Sequence, residues 1–300
     1  MRYFLLESAR SALYVFTILM SQCDLMGLSA HGVAISMILG IADYVSLRGS
    51  LGDLLNFAAK LRVRVLELKS DRIDFLSAFD RNEKALEIRD LLNSYSFQYF
   101  VHAPSIDVNL ASVNPILGRA SKKTVLKAAS LAANLGAELF VSHGGRLSRD
   151  YPRKLVGKAT NNAIDCLKTI SQASNDLGMV FTIENDYKAN DYVLAGYPEQ
   201  TRLLVENVGC KLTFDIGHAN TAGKIEDFTK LLDRFIANVH LHDNNGRKDE
   251  HLPIGKGGID FVAVFRKMKG WMARKPLTIE CHSFEGLKES VDFMRQELSV

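Results

Sequence analysis

From residue 32 onward, short apolar runs alternate with longer amphipathic ones. The first run, GVAISMIL over 32–39, precedes SLGDLLNFAAKL over 50–61, where Leu51, Leu54, Leu55, Ala58 and Leu61 recur at helical spacing. Further β-rich runs cover 63–69, 97–103, 137–143, 179–185, 211–217, 237–243 and 276–281. Between and after them, helical patterns cover 82–95, 119–136, 153–177, 198–207, 225–235, 259–272 and 284–298. Eight strands, each followed by a helix, predict a parallel sheet with helices outside, closed as an α/β (β/α)8 TIM barrel. No linker-like or low-complexity tract splits the series, so 32–300 reads as a single domain.

Residues 1–31 precede the pattern and read as an N-terminal extension of uncertain role, or as an over-long start with Met26 as the beginning. The apolar run at 12–20 is too short to span a bilayer, which gives an expectation of no membrane association. An apolar fraction of 47% and a charged fraction of 24% are ordinary for a globular chain with a sizeable core. A net charge of +3, with no dense Lys/Arg run, neither demands nor excludes a nucleic-acid partner. Cys23, Cys166, Cys210 and Cys281 are far apart with no C-x-x-C pair, which suits reduced thiols in a cytoplasmic protein.

In a barrel, the chemistry belongs at the C-terminal ends of the strands. Those ends carry His102, His143, Glu184, Asp215, His240 with His242, and Glu280, so six of the eight finish in a group able to bind a metal. His240 and His242 lie two apart and share a side of their strand, and Asp249 and His251 follow in the next loop. This density of imidazole and carboxylate predicts a divalent-metal site. Glu67 ends the second strand and faces either the site or solvent.

The stretches VHAPS, VSHGG, TIEND, FDIGHA, VHLHDN, DEHLPIGKG and TIECHS, in this order, resemble the xylose isomerase-like TIM barrel superfamily over about 32–298. That group includes sugar isomerases and epimerases as well as endonuclease IV-type apurinic endonucleases. The resemblance implies a divalent-metal-dependent isomerase or epimerase of a sugar, sugar phosphate or related polyol, working by proton transfer through an enediolate. A single Mn, Co or Mg ion would then sit on Glu184, Asp215, His240 and Glu280, with Glu184 and Glu280 as the acid–base pair. His102, His143, His218, His242, Arg247 and Lys256 would be substrate contacts, although His240 and His242 could exchange roles. The alternative implied by the same resemblance is a zinc-dependent endonuclease acting on abasic DNA. Three Zn ions would then also use His102, His143, His218, Asp249 and His251. Against the nuclease, Ser105 stands where that family tends to carry an aromatic, and Ile216-Gly217 replaces its usual Thr-Cys. The partner is expected to be a small carbohydrate, with nucleic acid only under the alternative. An oligomer is compatible with either reading.

Overall fold

The computed structural model describes residues 37–44, 49–79, 81–147, 151–188, 193–272 and 274–298. The extension expected over 1–31 lies outside these residues. Eight parallel strands close into a barrel in chain order: β1 (Ile38–Ala42), β2 (Val65–Lys69), β3 (Gln98–His102), β4 (Leu139–His143), β5 (Val180–Glu184), β6 (Lys211–Asp215), β7 (Ile236–Leu241) and β8 (Pro276–Ile279). Pairing of β1 with β8 completes the ring.

The helices that cover the strands follow their apolar spacing. They are α1 (Leu51–Leu61), α3 (Asn82–Asn93), α4 (Pro115–Asn134), α5 (Arg153–Asp176), α6 (Pro198–Val208), α8 (Ile225–Leu232), α9 (Phe261–Met272) and α10 (Phe284–Glu297). Local chemistry sets their ends. Ser50 and Asp53 form a reciprocal capping box at the start of α1, and Gly209, at φ 73°, ends α6 in the left-handed region. Two short helices, α2 (Ile73–Ala78) and α7 (Ile216–Thr221), had no signal of their own in the sequence. The second follows Asp215, whose Oδ1 accepts the His218 N–H at 2.6 Å and so nucleates the turn.

One expected boundary is corrected. The first strand runs over Ile38–Ala42, beyond the expected end at 39, because the apolar run continues through 42 without a polar break, and 32–36 lie outside the described residues. Gly40 explains why this window pairs. A Cβ there would lie 2.7 Å from Val65 Cβ and 2.9 Å from Val65 O, so only glycine lets β1 approach β2 this closely. Gly40→Ala is therefore expected to push the two strands apart and cost about 1–3 kcal/mol. A thermal melt checks this, with the midpoint falling by roughly 2–4 °C for each kcal/mol lost.

Along each strand the two-residue period sends one set of side chains outward to the helices and the other into the barrel. Inside, Val65, Phe100, Leu139 and Val141 form an apolar plug. Above it lies a polar tier in which Thr182 bonds Thr213 at 2.8 Å and Thr278 donates to Asn238 at 3.1 Å. The next residues along each strand form the floor of the site, so its polar groups rest on a packed, hydrogen-bonded base.

Candidate metal centre and active site

The strand ends expected to carry chemistry converge. Their donor atoms form three adjoining groups: Glu184, Asp215, His240 and Glu280; His102, His143 and Glu184; and His218, His242, Asp249 and His251. Glu184 belongs to two of them.

The deepest group is made by β5 to β8. His240 is fully buried, with Nδ1 3.1 Å from Glu184 Oε1 and 3.6 Å from Glu280 Oε1. Its Nε2 meets Glu67 Oε2 at 2.9 Å. Glu67 thus faces the barrel interior, fully buried, and a carboxylate on one imidazole nitrogen orients the ring while the other nitrogen faces the site. The two histidines part in space. His240 stands among the carboxylates, whereas His242 groups with His218, Asp249 and His251, its Nε2 also 3.2 Å from Asp215 Oδ1.

On the β3–β4 side, His102 Nδ1 lies 2.7 Å from the Ala103 carbonyl and must donate its proton there. Its Nε2 then points a lone pair at Glu184 Oε2, 3.0 Å away, an arrangement that calls for a proton or a cation between them. His143 Nε2 is 3.9 Å from the same oxygen. His218 repeats the device, with Nδ1 on the Asn185 carbonyl at 2.8 Å and Nε2 turned to Asp249 Oδ2 at 3.3 Å.

Charge is concentrated here, and burial works against every ion. The carboxylates outweigh that penalty at His240, where Glu67, Glu280 and Glu184 hold the imidazole pKa well above its ordinary value. Asp215, Asp249 and Glu184 do the same for His218 despite its burial. Burial pushes the Glu184 carboxyl up, but His240 and His143 dominate and hold it well below the usual range. Glu280 is held low in the same way, chiefly by Lys69 and His240. At His143 burial prevails and the pKa falls well below ordinary.

This donor set fits a metal. Asp215 Oδ2, His242 Nε2 and Asp249 Oδ1 are buried without a hydrogen-bond partner. Orphaned polar atoms in a dry interior are costly, and cations held by the groups to which these residues belong would satisfy them.

The groups open into a cleft of about 270 Å³ whose walls include Tyr44, Lys69, Ser105, Arg146 and Tyr187. Lys69 and Arg146 are residues that sequence reasoning missed. Lys69 Nζ donates to Glu280 Oε1 at 2.9 Å and lies 3.9 Å from Glu67 Oε1. Its only sequence signal was a position two residues after Glu67, on the same side of β2. The half-exposed Arg146 lies across the Tyr187 ring, 3.7 Å from the buried Asp186.

Two expected substrate contacts do not join them. Arg247 is exposed and absent from the cleft walls, and Lys256 is exposed and reaches toward Glu289, 4.0 Å away. The glycines around Lys256 serve the fold. The backbone N–H groups of Gly255, Gly257 and Ile259 all donate to the buried Asp243 carboxylate at 2.9–3.1 Å, leaving no anion cradle.

Among the described residues no helix is long and apolar enough to cross a membrane, and Cys166, Cys210 and Cys281 are free thiols. An uncharacterized protein of Methanocaldococcus jannaschii is 33% identical over 210 residues, 70% of this chain and 81% of its own length. A solved structure described as a D-tagatose 3-epimerase-like protein superposes with a TM-score of 0.78 at 29% identity, covering 88% of this chain and 97% of that one. A probable endonuclease 4 of Mycobacterium leprae is 26% identical over 220 residues, 70% of this chain and 82% of its own length. The pattern of one family matches residues 55–297, nearly the whole barrel. By that match and by its architecture, the chain belongs to the xylose isomerase-like TIM barrel family.

Proposed function

We propose that this protein is a divalent-metal-dependent isomerase or epimerase of a sugar or related polyol. The observation that carries the reading is the buried set Glu184, Asp215, His240 and Glu280, of which Glu184 and Glu280 line a cleft of about 270 Å³. That volume is near the lower end of the ~300–1,000 Å³ usual for small-molecule sites, the scale of one sugar. Kinship with an epimerase-like protein at 29% identity supports the same reading.

Glu184, Asp215, His240 and Glu280 would hold the ion, with Glu67 orienting His240. When bound, such an ion polarises a carbonyl and a neighbouring hydroxyl and stabilises negative charge on both oxygens. The proton work falls to the chain. Glu184 on β5 and Glu280 after β8 approach the same His240 nitrogen from different strands, so they flank one small volume. One can take a proton from a carbon held between them; the other returns one after first drawing a proton from solvent or a substrate hydroxyl. Both are kept ionised by their neighbours, as a base requires. His102, His143 and Lys69 line the wall as donors to substrate hydroxyls.

The test is to load the protein with Mn, Co or Mg and offer a panel of ketoses in D2O. Deuterium entering the carbon beside the carbonyl, together with a new isomer, is the expected result. The second reading, abasic-site cleavage, rests on the two histidine-rich groups beside the carboxylate one. Cleavage of abasic DNA with no deuterium exchange in any sugar would overturn the proposal in its favour.

Metal loading is expected to depend on pH. In the metal-free protein His240 and His218 keep their protons to higher pH than free histidine. An incoming ion must displace those protons, so affinity falls as pH drops, by up to about tenfold per unit for each proton released. Calorimetry in two buffers of different ionisation heat reads the number released. A value of zero at neutral pH contradicts this electrostatic picture.

A further inference from the structure

The second histidine group holds more than the resemblance gave it. Three of its members, His218, Asp249 and His251, were expected to carry a third zinc only in the nuclease alternative, and His242 was expected to face substrate. The structure instead turns His242 into the same group. We propose that His218, His242, Asp249 and His251 form a closed, four-coordinate zinc site, and that Gly217 exists to admit the fourth donor.

Four observations converge. First, one ligand atom from each residue lies within 4.8 Å of all the others. Oxygens of Asp249 are 3.3 Å from His218 Nε2, 3.4 Å from His242 Nε2 and 3.3 Å from His251 Nε2. Those separations exceed the ~2.7–2.9 Å of a charge-assisted hydrogen bond. They match the roughly 3.3 Å between donors of a tetrahedral ion with bonds of about 2.0–2.1 Å.

Second, His242 Nε2 and Asp249 Oδ1 are buried without hydrogen-bond partners. Third, the place of His242 is built into the backbone. A Cβ on Gly217 would fall on the His242 ring, 2.3 Å from its Nε2, so any other residue there would expel the imidazole. Fourth, the His251 backbone is held at φ 47°, where a non-glycine residue is strained, and its ring stacks on His242 at 3.9 Å and 14°. That arrangement aims two imidazoles at one carboxylate.

Three imidazoles and a carboxylate leave a zinc ion no vacant position, which is the mark of a structural site. His218 lies on α7, whereas Asp249 and His251 lie in the loop between β7 and α9. An ion here staples that loop to α7, forming one wall of the cleft, and activates neither water nor phosphate. The inference is independent of which reaction the carboxylate group performs.

The test uses cobalt as a spectroscopic stand-in for zinc on the full chain. Wild type is expected to show the intense visible absorption of a tetrahedral centre, which a carboxylate-rich site does not give. His242→Ala should lose that band and bind zinc at least about 100-fold more weakly. Gly217→Ala, which keeps every donor but displaces the ring, should weaken binding at least about tenfold. His242→Cys should restore a tetrahedral spectrum. Circular dichroism identifies a variant that fails to fold, in which case Gly217→Ala decides. A five- or six-coordinate spectrum in wild type, or an unchanged spectrum and affinity in folded His242→Ala, overturns the proposal. Loss of sugar exchange with the tetrahedral band intact would count against the isomerase reading alone.

Discussion

Glu280→Gln is expected to lower the turnover of any proton-transfer reaction by about 10²–10⁴-fold while the barrel stays folded. Gln fills the same space but cannot take or return a proton, and it offers the metal a neutral oxygen. Turnover measured at saturating metal separates the loss of the base from the loss of the ligand. Lys69 supplies the matching control, because its ammonium donates to Glu280 Oε1 at 2.9 Å. In Lys69→Met the carboxyl of Glu280 remains but loses its foremost charge-stabilising neighbour. Its pKa then rises toward the ordinary carboxylate range, and the acid limb of kcat/KM moves to higher pH. A fully active Glu280→Gln protein removes Glu280 from the acid–base pair. An unmoved acid limb in Lys69→Met removes Lys69 from its support.

Arg72→Met is expected to be the costliest single change to stability outside the metal groups. The guanidinium donates to both oxygens of Asp43 at 3.0 and 3.1 Å, just past β1, and the carboxylate is fully buried. Methionine keeps most of the packing and removes the charge, leaving Asp43 uncompensated. Breaking one partner of such a buried pair typically costs about 3–5 kcal/mol. The Asp43 carboxyl is already raised by burial, which Arg72 only partly opposes. Without Arg72 its folded pKa climbs further above the unfolded value. The penalty is therefore absent while the group is protonated below its unfolded pKa, and it develops as pH rises through the folded pKa. The melting temperature of Arg72→Met should approach that of wild type in acid and fall furthest behind at neutral pH. Adding Asp43→Asn should recover most of the loss at neutral pH. Equal losses at both pH values would show that packing, not charge, is what Arg72 contributes.

The eight units were readable because the signals that mark them are local. A strand repeats every two residues and a helix every 3.6, and capping residues such as Ser50 and Gly209 act on their immediate neighbours. The donors at strand ends were readable for a related reason. Each unit crosses the rim of the barrel once, so topology alone brings His102, His143, Glu184, Asp215, His240 and Glu280 to one face. Where local signals were ambiguous, the reading slipped. An unbroken apolar run misplaced β1, and α7, a helix of six residues, had no period long enough to detect.

What the chain determined by itself is the barrel and the inventory of metal-capable groups, since both follow from periodicity and order. Which groups act together was decided by tertiary structure. Lys69 meets Glu280 across 211 positions of sequence, and Glu67 meets His240 across 173. Gly217 admits His242, while the glycines near Lys256 serve Asp243 and no ligand. Such pairings depend on closing the ring of strands in one register, and no spacing within a single segment encodes that distance. The same closure divides nine expected donors, joined by His242, into three adjoining groups: a carboxylate group suited to proton transfer, His102 and His143 beside the shared Glu184, and a histidine group suited to holding a loop.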